Sequence, residues 1–303
     1  MNKAMRHALS TSAFIYVMSK ELVEKVFVTP GKTVSITCDD RINSLMEDFL
    51  KELVQAINTY PIEAVECYFS MALDRHRMTD ALLPITKEFW SVHGPYGKYY
   101  DTSSPEPESR AGAIRGCSEA ILLAESLGAK VVVIHPGHST VYDVPRQLRI
   151  DCSIDSIKQI ADFAGEHGTR LAVEPLPNDE IGCRIDEVID IIDKVNRPNV
   201  GVNFDTNHLF PASAIPSLIR KVKGLITSVH ISDQDDIERH WLPFQGKLDW
   251  KEVLQAFSDA GYNGPLVYET HIRDAKDPNE VASIVSANYK ELSKLIPESV
   301  YRS

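Results

Sequence analysis

The chain has 303 residues, 43% of them hydrophobic and 25% charged, an ordinary globular composition that excludes collagen-like, coiled-coil and disordered classes. With 43 acidic against 32 basic residues the net charge is −11, so much of the surface repels phosphate backbones and nucleic acid is a poor default partner. No apolar run reaches the roughly 18 residues that a membrane span needs, so no membrane partner is expected.

Lys3 and Arg6 precede an apolar stretch, Ala8–Met18, that loosely mimics a secretory leader. Ser10, Thr11 and Ser12 interrupt it and no clear cleavage site follows, so Ala8–Tyr16 reads as a first strand. Seven more β-rich runs follow: Ile62–Phe69, Phe89–His93, Val131–His135, Arg170–Glu174, Val200–Asp205, Ile226–Ile231 and Pro265–Glu269. Most are continuously hydrophobic, as expected for parallel strands buried on both faces.

Helical patterns fill the gaps. Ser109–Leu127 repeats apolar residues and stops at Gly128, and a stripe of Ile154, Ile157, Ile160 and Ala164 ends at Gly168. Asp186–Val195 is a third helix, Asp249 caps a fourth that runs to Ala260, and Asn279–Leu295 is the last. Residues 19–43 and Tyr96–Glu108 read as long loops after the first and third strands, on the face where loops cover a site. Eight such units predict an α/β fold with a single (β/α)8 TIM barrel over residues 1–303. An open doubly wound sheet is the alternative, but no G-x-G-x-x-G follows any strand. The five cysteines, Cys38, Cys67, Cys117, Cys152 and Cys183, show no C-x-x-C spacing and read as reduced thiols of a cytoplasmic protein.

The ends of the strands carry the chemistry. Strands two to eight finish with Glu66, His93, His135, Glu174, Asp205, His230 and Glu269. In a barrel these ends converge on the catalytic face. One such residue is ordinarily a hydrogen-bonded structural group or a helix cap. Seven in succession, all imidazole or carboxylate, point to a divalent metal, because clustered buried carboxylates are costly without a cation. His208, three residues after Asp205, and Glu238 with His240 are further candidate ligands.

These pieces together resemble the xylose isomerase-like TIM barrels, a superfamily of sugar phosphate isomerases/epimerases, ketose 3-epimerases, inosose and dehydroshikimate dehydratases and endonuclease IV. The resemblance lies in Ser91-Val92-His93-Gly94-Pro95-Tyr96, Val133-Ile134-His135-Pro136-Gly137, Ala172-Val173-Glu174-Pro175, Asn203-Phe204-Asp205-Thr206-Asn207-His208, Val229-His230-Ile231-Ser232-Asp233, Leu248-Asp249-Trp250 and Val267-Tyr268-Glu269. Pro243-Phe244-Gln245-Gly246 stands where the superfamily usually shows P-G-x-G.

For the epimerase branch the resemblance implies one divalent metal (Mn, Zn, Co or Fe) on Glu174, Asp205, His230 and Glu269. Glu174 and Glu269 would be the proton-transferring pair. Glu66, His93, His135, His208, His240 and Trp241 would contact a ketose or polyol, with Trp90 the alternative to Trp241 as the aromatic platform. The expected reaction is isomerisation or epimerisation through a metal-stabilised enediolate. A cyclitol or dehydroshikimate-type dehydration is the close variant. For the endonuclease IV branch up to three zinc ions would be held, with His93, His135, His208, Glu238 and His240 as the additional ligands, Glu238 replacing the usual Asp. The acidic loop Asp233-Gln234-Asp235-Asp236 argues against a DNA substrate. Related barrels often form dimers or tetramers, which implies a homo-oligomer.

Overall fold

Parallel strands need a crossover between them, and this chain supplies a helical one at nearly every turn. The computed structural model describes residues 5–27, 40–69 and 74–297. Its strands are β1 (His7–Ser10), β2 (Ala64–Tyr68), β3 (Glu88–His93), β4 (Val131–Ile134), β5 (Arg170–Val173), β6 (Val200–Asp205), β7 (Ile226–Ile231) and β8 (Leu266–Tyr268). They pair in chain order, all parallel, and β8 returns to β1 to close the barrel.

The connecting helices are α1 (Lys20–Phe27), α2 (Asp40–Thr59), α3 (Arg75–Leu82), α4 (Pro107–Leu127), α5 (Arg146–Glu166), α6 (Ile185–Val195), α7 (Ile215–Lys221), α8 (Trp250–Asp259) and α9 (Pro278–Leu292). Their ends follow from local chemistry. Asp249 accepts from the Lys251 and Glu252 amides at the start of α8, and Gly128 takes the left-handed conformation that stops α4. Outward strand residues such as Val92, Val132 and Phe204 pack against the helices in one continuous core.

The inside of the barrel is closed by one large side chain. Ala8, Ala64 and Val267 on one side and Val131, Val133 and Ala172 on the other all pack against Trp90. Trp90 reaches that position through a bulge: Val65 pairs with Phe89 but Glu66 pairs with Ser91, leaving Trp90 as the extra residue of β3. β7 has the same device. Val202 pairs with Ile226 and Asn203 with Ser228, leaving Thr227 extra. The Trp90 indole donates to Ser228 Oγ at 3.1 Å, tying the two bulged strands across the barrel. Trp90 is therefore a plug below the site and not a platform for a sugar.

Two sequence expectations change here. β1 ends at Ser10, and Thr11–Val17 forms a 3-10 helix instead of the expected strand. The Ser10 hydroxyl accepts from the Ser12 amide and turns the chain where pairing with β2 stops at Glu66. The segment 19–43 is not simply a loop, because α1 and the start of α2 lie within it; its residues 28–39, including Cys38, fall outside the described residues. Tyr96–Glu108 matches its reading as a connection, apart from a short 3-10 turn at Lys98–Tyr100 and the first residues of α4. The four described cysteines are unpaired; burial pushes the Cys117 thiol up to about 12 and Cys67 higher. Among the described residues no helix is long and apolar enough to cross a membrane.

Candidate metal centre

Glu174, Asp205, His230 and Glu269 come from the ends of β5, β6, β7 and β8, and one ligand atom from each lies within 4.8 Å of all the others. His230 Nδ1 is the centre of the group, at 3.0 Å from Glu269 Oε2, 3.3 Å from Glu174 Oε1 and 3.7 Å from Asp205 Oδ2. Asp205 Oδ2 is buried with no hydrogen-bond partner. Three carboxylates and one imidazole nitrogen around a common point, one of the oxygens left without a donor, is the donor set of a divalent transition metal. These residues fit such an ion.

The electrostatics agree. Burial alone would push Glu174 up, but the His230, His208 and His93 imidazoles hold its carboxyl well below the usual range. Burial likewise opposes charge on the imidazoles. Even so, Glu174 raises His93 to about 9, Asp205 and Glu174 raise His208 to about 10, and Glu66 with Glu174 raises His230 well above its ordinary value. Positive charge is what this cavity selects, and protons or a cation compete for the same acceptors.

Two further groups adjoin the first. His93, Glu174 and His230 form one, and His208, Glu238 and His240 the other. Backbone carbonyls fix three of the imidazoles. His93 Nδ1 faces Gly94 O at 2.8 Å, which leaves Nε2 toward Glu174 Oε2 at 3.5 Å. His208 Nδ1 faces Pro175 O at 2.9 Å and His240 Nδ1 faces Glu269 O at 3.1 Å. Their Nε2 atoms are then left toward Glu238 Oε1, at 4.0 and 3.3 Å. His135 Nε2 lies 3.7 Å from Glu174 Oε2, and burial lowers its pKa to about 3, so that ring stays neutral.

All nine candidate ligands therefore meet at one mouth. Two expected sugar contacts lie outside this set of nine. Glu66 is fully buried beneath the mouth and hydrogen-bonded to His230 Nε2 at 3.0 Å. Trp241 is half-buried, with the Arg239 guanidinium 5.1 Å over its ring and its backbone paired to Asp233.

Other residues at the mouth stand in the quoted motifs but are assigned no role from the sequence. Asn203 Nδ2 donates to Glu174 Oε2 at 3.1 Å, and its place two residues before Asp205 on the same strand face was the available signal. Asn207 Oδ1 accepts from the Arg239 and His240 amides and so holds the hairpin that carries Glu238. Tyr96, the last residue of the motif that begins at Ser91, donates to Glu180 Oε2 at 3.0 Å and packs edge-on to His135.

Known proteins are similar to this chain to different degrees. Residues 45–291 match the family described as xylose isomerase-like TIM barrel. A probable endonuclease 4 of Acholeplasma laidlawii is 30% identical over 206 residues, covering 62% of this chain and 69% of the relative. A D-psicose 3-epimerase of Ruminiclostridium cellulolyticum is 26% identical over 190 residues, covering 60% of this chain and 62% of the relative. Among solved structures, an L-ribulose 3-epimerase superposes with a TM-score of 0.72 at 16% identity, covering 98% of this chain and 96% of the other, which speaks to the fold. With the family pattern running from within α2 to the end of α9, the chain belongs to the xylose isomerase-like TIM barrel family.

Proposed function

We propose that the protein is a divalent-metal-dependent isomerase or epimerase of a ketose or related polyol. The observation that carries this reading is the Glu174, Asp205, His230 and Glu269 cluster, with a carboxylate from β5 and another from β8 facing each other across it. A cation held by these four residues would supply Lewis-acid polarisation of a substrate carbonyl. The protein's own part is to move the proton. One of Glu174 and Glu269 takes the C–H proton next to the carbonyl, and the other returns a proton to the opposite face. His208, fixed at Nδ1, presents Nε2 to a substrate oxygen. Asn203 holds the Glu174 carboxylate in place while it works. The sugar relatives named above support the substrate class.

Proton transfer through solvent-exchangeable carboxylates has a direct test. In heavy water a panel of free ketoses should incorporate deuterium at the epimerised carbon, and metal analysis should find one divalent ion per chain. Glu174→Gln should lower turnover by about 10²–10⁴-fold, the usual worth of a positioned base, and release the metal. Turnover of a ketose without deuterium uptake, or a protein that never binds a divalent ion, sinks the reading.

A second reading has its own observation, the His208, Glu238 and His240 group beside the first. Two or three zinc ions there would suit phosphodiester hydrolysis, in keeping with the endonuclease relative. Against it, three cations near this mouth are already paired: Arg239 with Asp235, Lys247 with Asp236, Arg149 with Asp101. A phosphate backbone would have to displace those carboxylates. Incision of abasic-site DNA by zinc-loaded protein, with two or three ions per chain, would reverse the ranking.

A further inference from the structure

Glu66 belongs to the row of acidic and imidazole strand ends, which makes it look like a substrate contact. Its surroundings say otherwise. It sits on β2 between Ser10 of β1 and Ser91 of β3. Its side chain is fully buried. Glu66 Oε2 accepts from Ser91 Oγ at 2.8 Å and lies 3.0 Å from His230 Nε2. Glu66 Oε1 has no hydrogen-bond partner.

A buried carboxylate in this position has one strong partner, and that partner's other nitrogen is the centre of the metal cluster. A neutral imidazole carries one N–H and one lone pair. The Nδ1 of His230 faces Glu269, Glu174 and Asp205 oxygens within 3.7 Å, and only a lone pair there serves a metal. The proton must then reside on Nε2, which requires an acceptor on the far side of the ring. Glu66 Oε2 is that acceptor. We infer that Glu66 is the positioning residue of the metal centre: it holds His230 as the Nε2–H tautomer, aims Nδ1 at the ion and makes the imidazole a stronger donor. Ser91 completes the chain by orienting the carboxylate. The bulge at Trp90 makes this possible, since it is the register shift that brings Ser91 opposite Glu66. The inference rests on the metal centre of the proposed function but not on the reaction assigned to it.

The test uses the full chain, stripped of metal by chelation, with Co2+ alone as the probe. Binding is followed by calorimetry and by the visible absorption of the bound ion. Glu66→Gln keeps the shape of the side chain and removes its charge. It should weaken Co2+ binding by about 10–100-fold and shift the Co2+ spectrum, while the far-ultraviolet dichroism stays as in the parent. Ser91→Ala should move both readouts in the same direction by less. Unchanged Co2+ affinity and spectrum in Glu66→Gln would overturn the inference. So would a raised KM for a sugar with metal affinity intact, which would make Glu66 a substrate contact. Should Glu66→Gln fail to fold, Ser91→Ala decides: unaltered Co2+ binding counts against the role. If the parent protein itself binds no Co2+, it is the metal centre that falls, and the two failures are distinct.

Discussion

His7 lies at the opposite end of the barrel from the metal ligands and shows the opposite electrostatics. Its ring is stacked on Tyr289 at 4.5 Å and lies edge-on to Tyr268, with Pro61 O at 3.2 Å from Nδ1 and Nε2 unpartnered. Glu63 accepts from the His7 amide and not from the ring. Burial therefore wins, and the pKa falls to about 4. Above the unfolded value of about 6.5 the ring is neutral in both states and its full contribution is present. As pH drops below that value the unfolded chain takes up a proton that the folded one refuses. Stability is then lost down to pH of about 4, by about 3 kcal/mol in all. Denaturant titrations between pH 7 and 4 should show that loss, and His7→Gln should flatten the slope whatever it does to the offset. At this scale the ligands were legible because each ends a strand. What orients them was not, since Glu66 and His230 are 164 positions apart and only barrel closure makes them neighbours.

Among the elements, the loop between β7 and α8 is the one whose order is least obvious from composition. It is polar and carries Asp236, His240 and Phe244 at positive φ, yet Asp233 at its root is fully buried. Asp233 Oδ1 accepts from the Gln234 and Leu248 amides, and Oδ2 from the Phe244 amide and the Trp250 indole. Both oxygens are needed as acceptors. Asp233→Asn would turn an NH2 group toward two N–H donors, which should cost roughly 2–4 kcal/mol and loosen the hairpin that presents Glu238 and His240. Thermal melts and Co2+ titration of the variant check both effects. The same loop explains what the departure from P-G-x-G leaves in place: a side chain at Gly246 would meet Asp233 Oδ1 at 2.4 Å, so that glycine cannot change. The long helices and strands were legible because their periodicity runs for many residues. α3 and α7 have eight and seven residues, too short to show a stripe, and the 3-10 helix after β1 is apolar enough to pass for more strand.

For the whole molecule the net charge of −11 is a field as well as a composition. Carboxylates converge at one mouth of a closed barrel, where low-dielectric walls concentrate their potential. Divalent cations should therefore be drawn in faster than neutral solutes. Raising salt from about 10 mM to about 1 M shortens the screening length from about 30 to about 3 Å. Stopped-flow measurement of Co2+ uptake should show the association rate falling steeply over that range, with the dissociation rate nearly constant. Equal salt sensitivity of both rates would mean that the field acts only within the bound site.

The bulges at Trp90 and Thr227 give β3 and β7 one residue of slack each. Side chains alternate between the faces of a strand, so one residue more or fewer reverses everything downstream of it. At a bulge the extra residue stands outside that alternation, so loss of Trp90 or Thr227 would leave Phe89 then Ser91 beside Val65 then Glu66, and Ile226 then Ser228 beside Val202 then Asn203, with His93 and His230 still facing the mouth. The orientation of two mouth-facing histidines is thus insulated from the extra residue before each of them, and what loss of Trp90 would take away is the filling of the barrel interior.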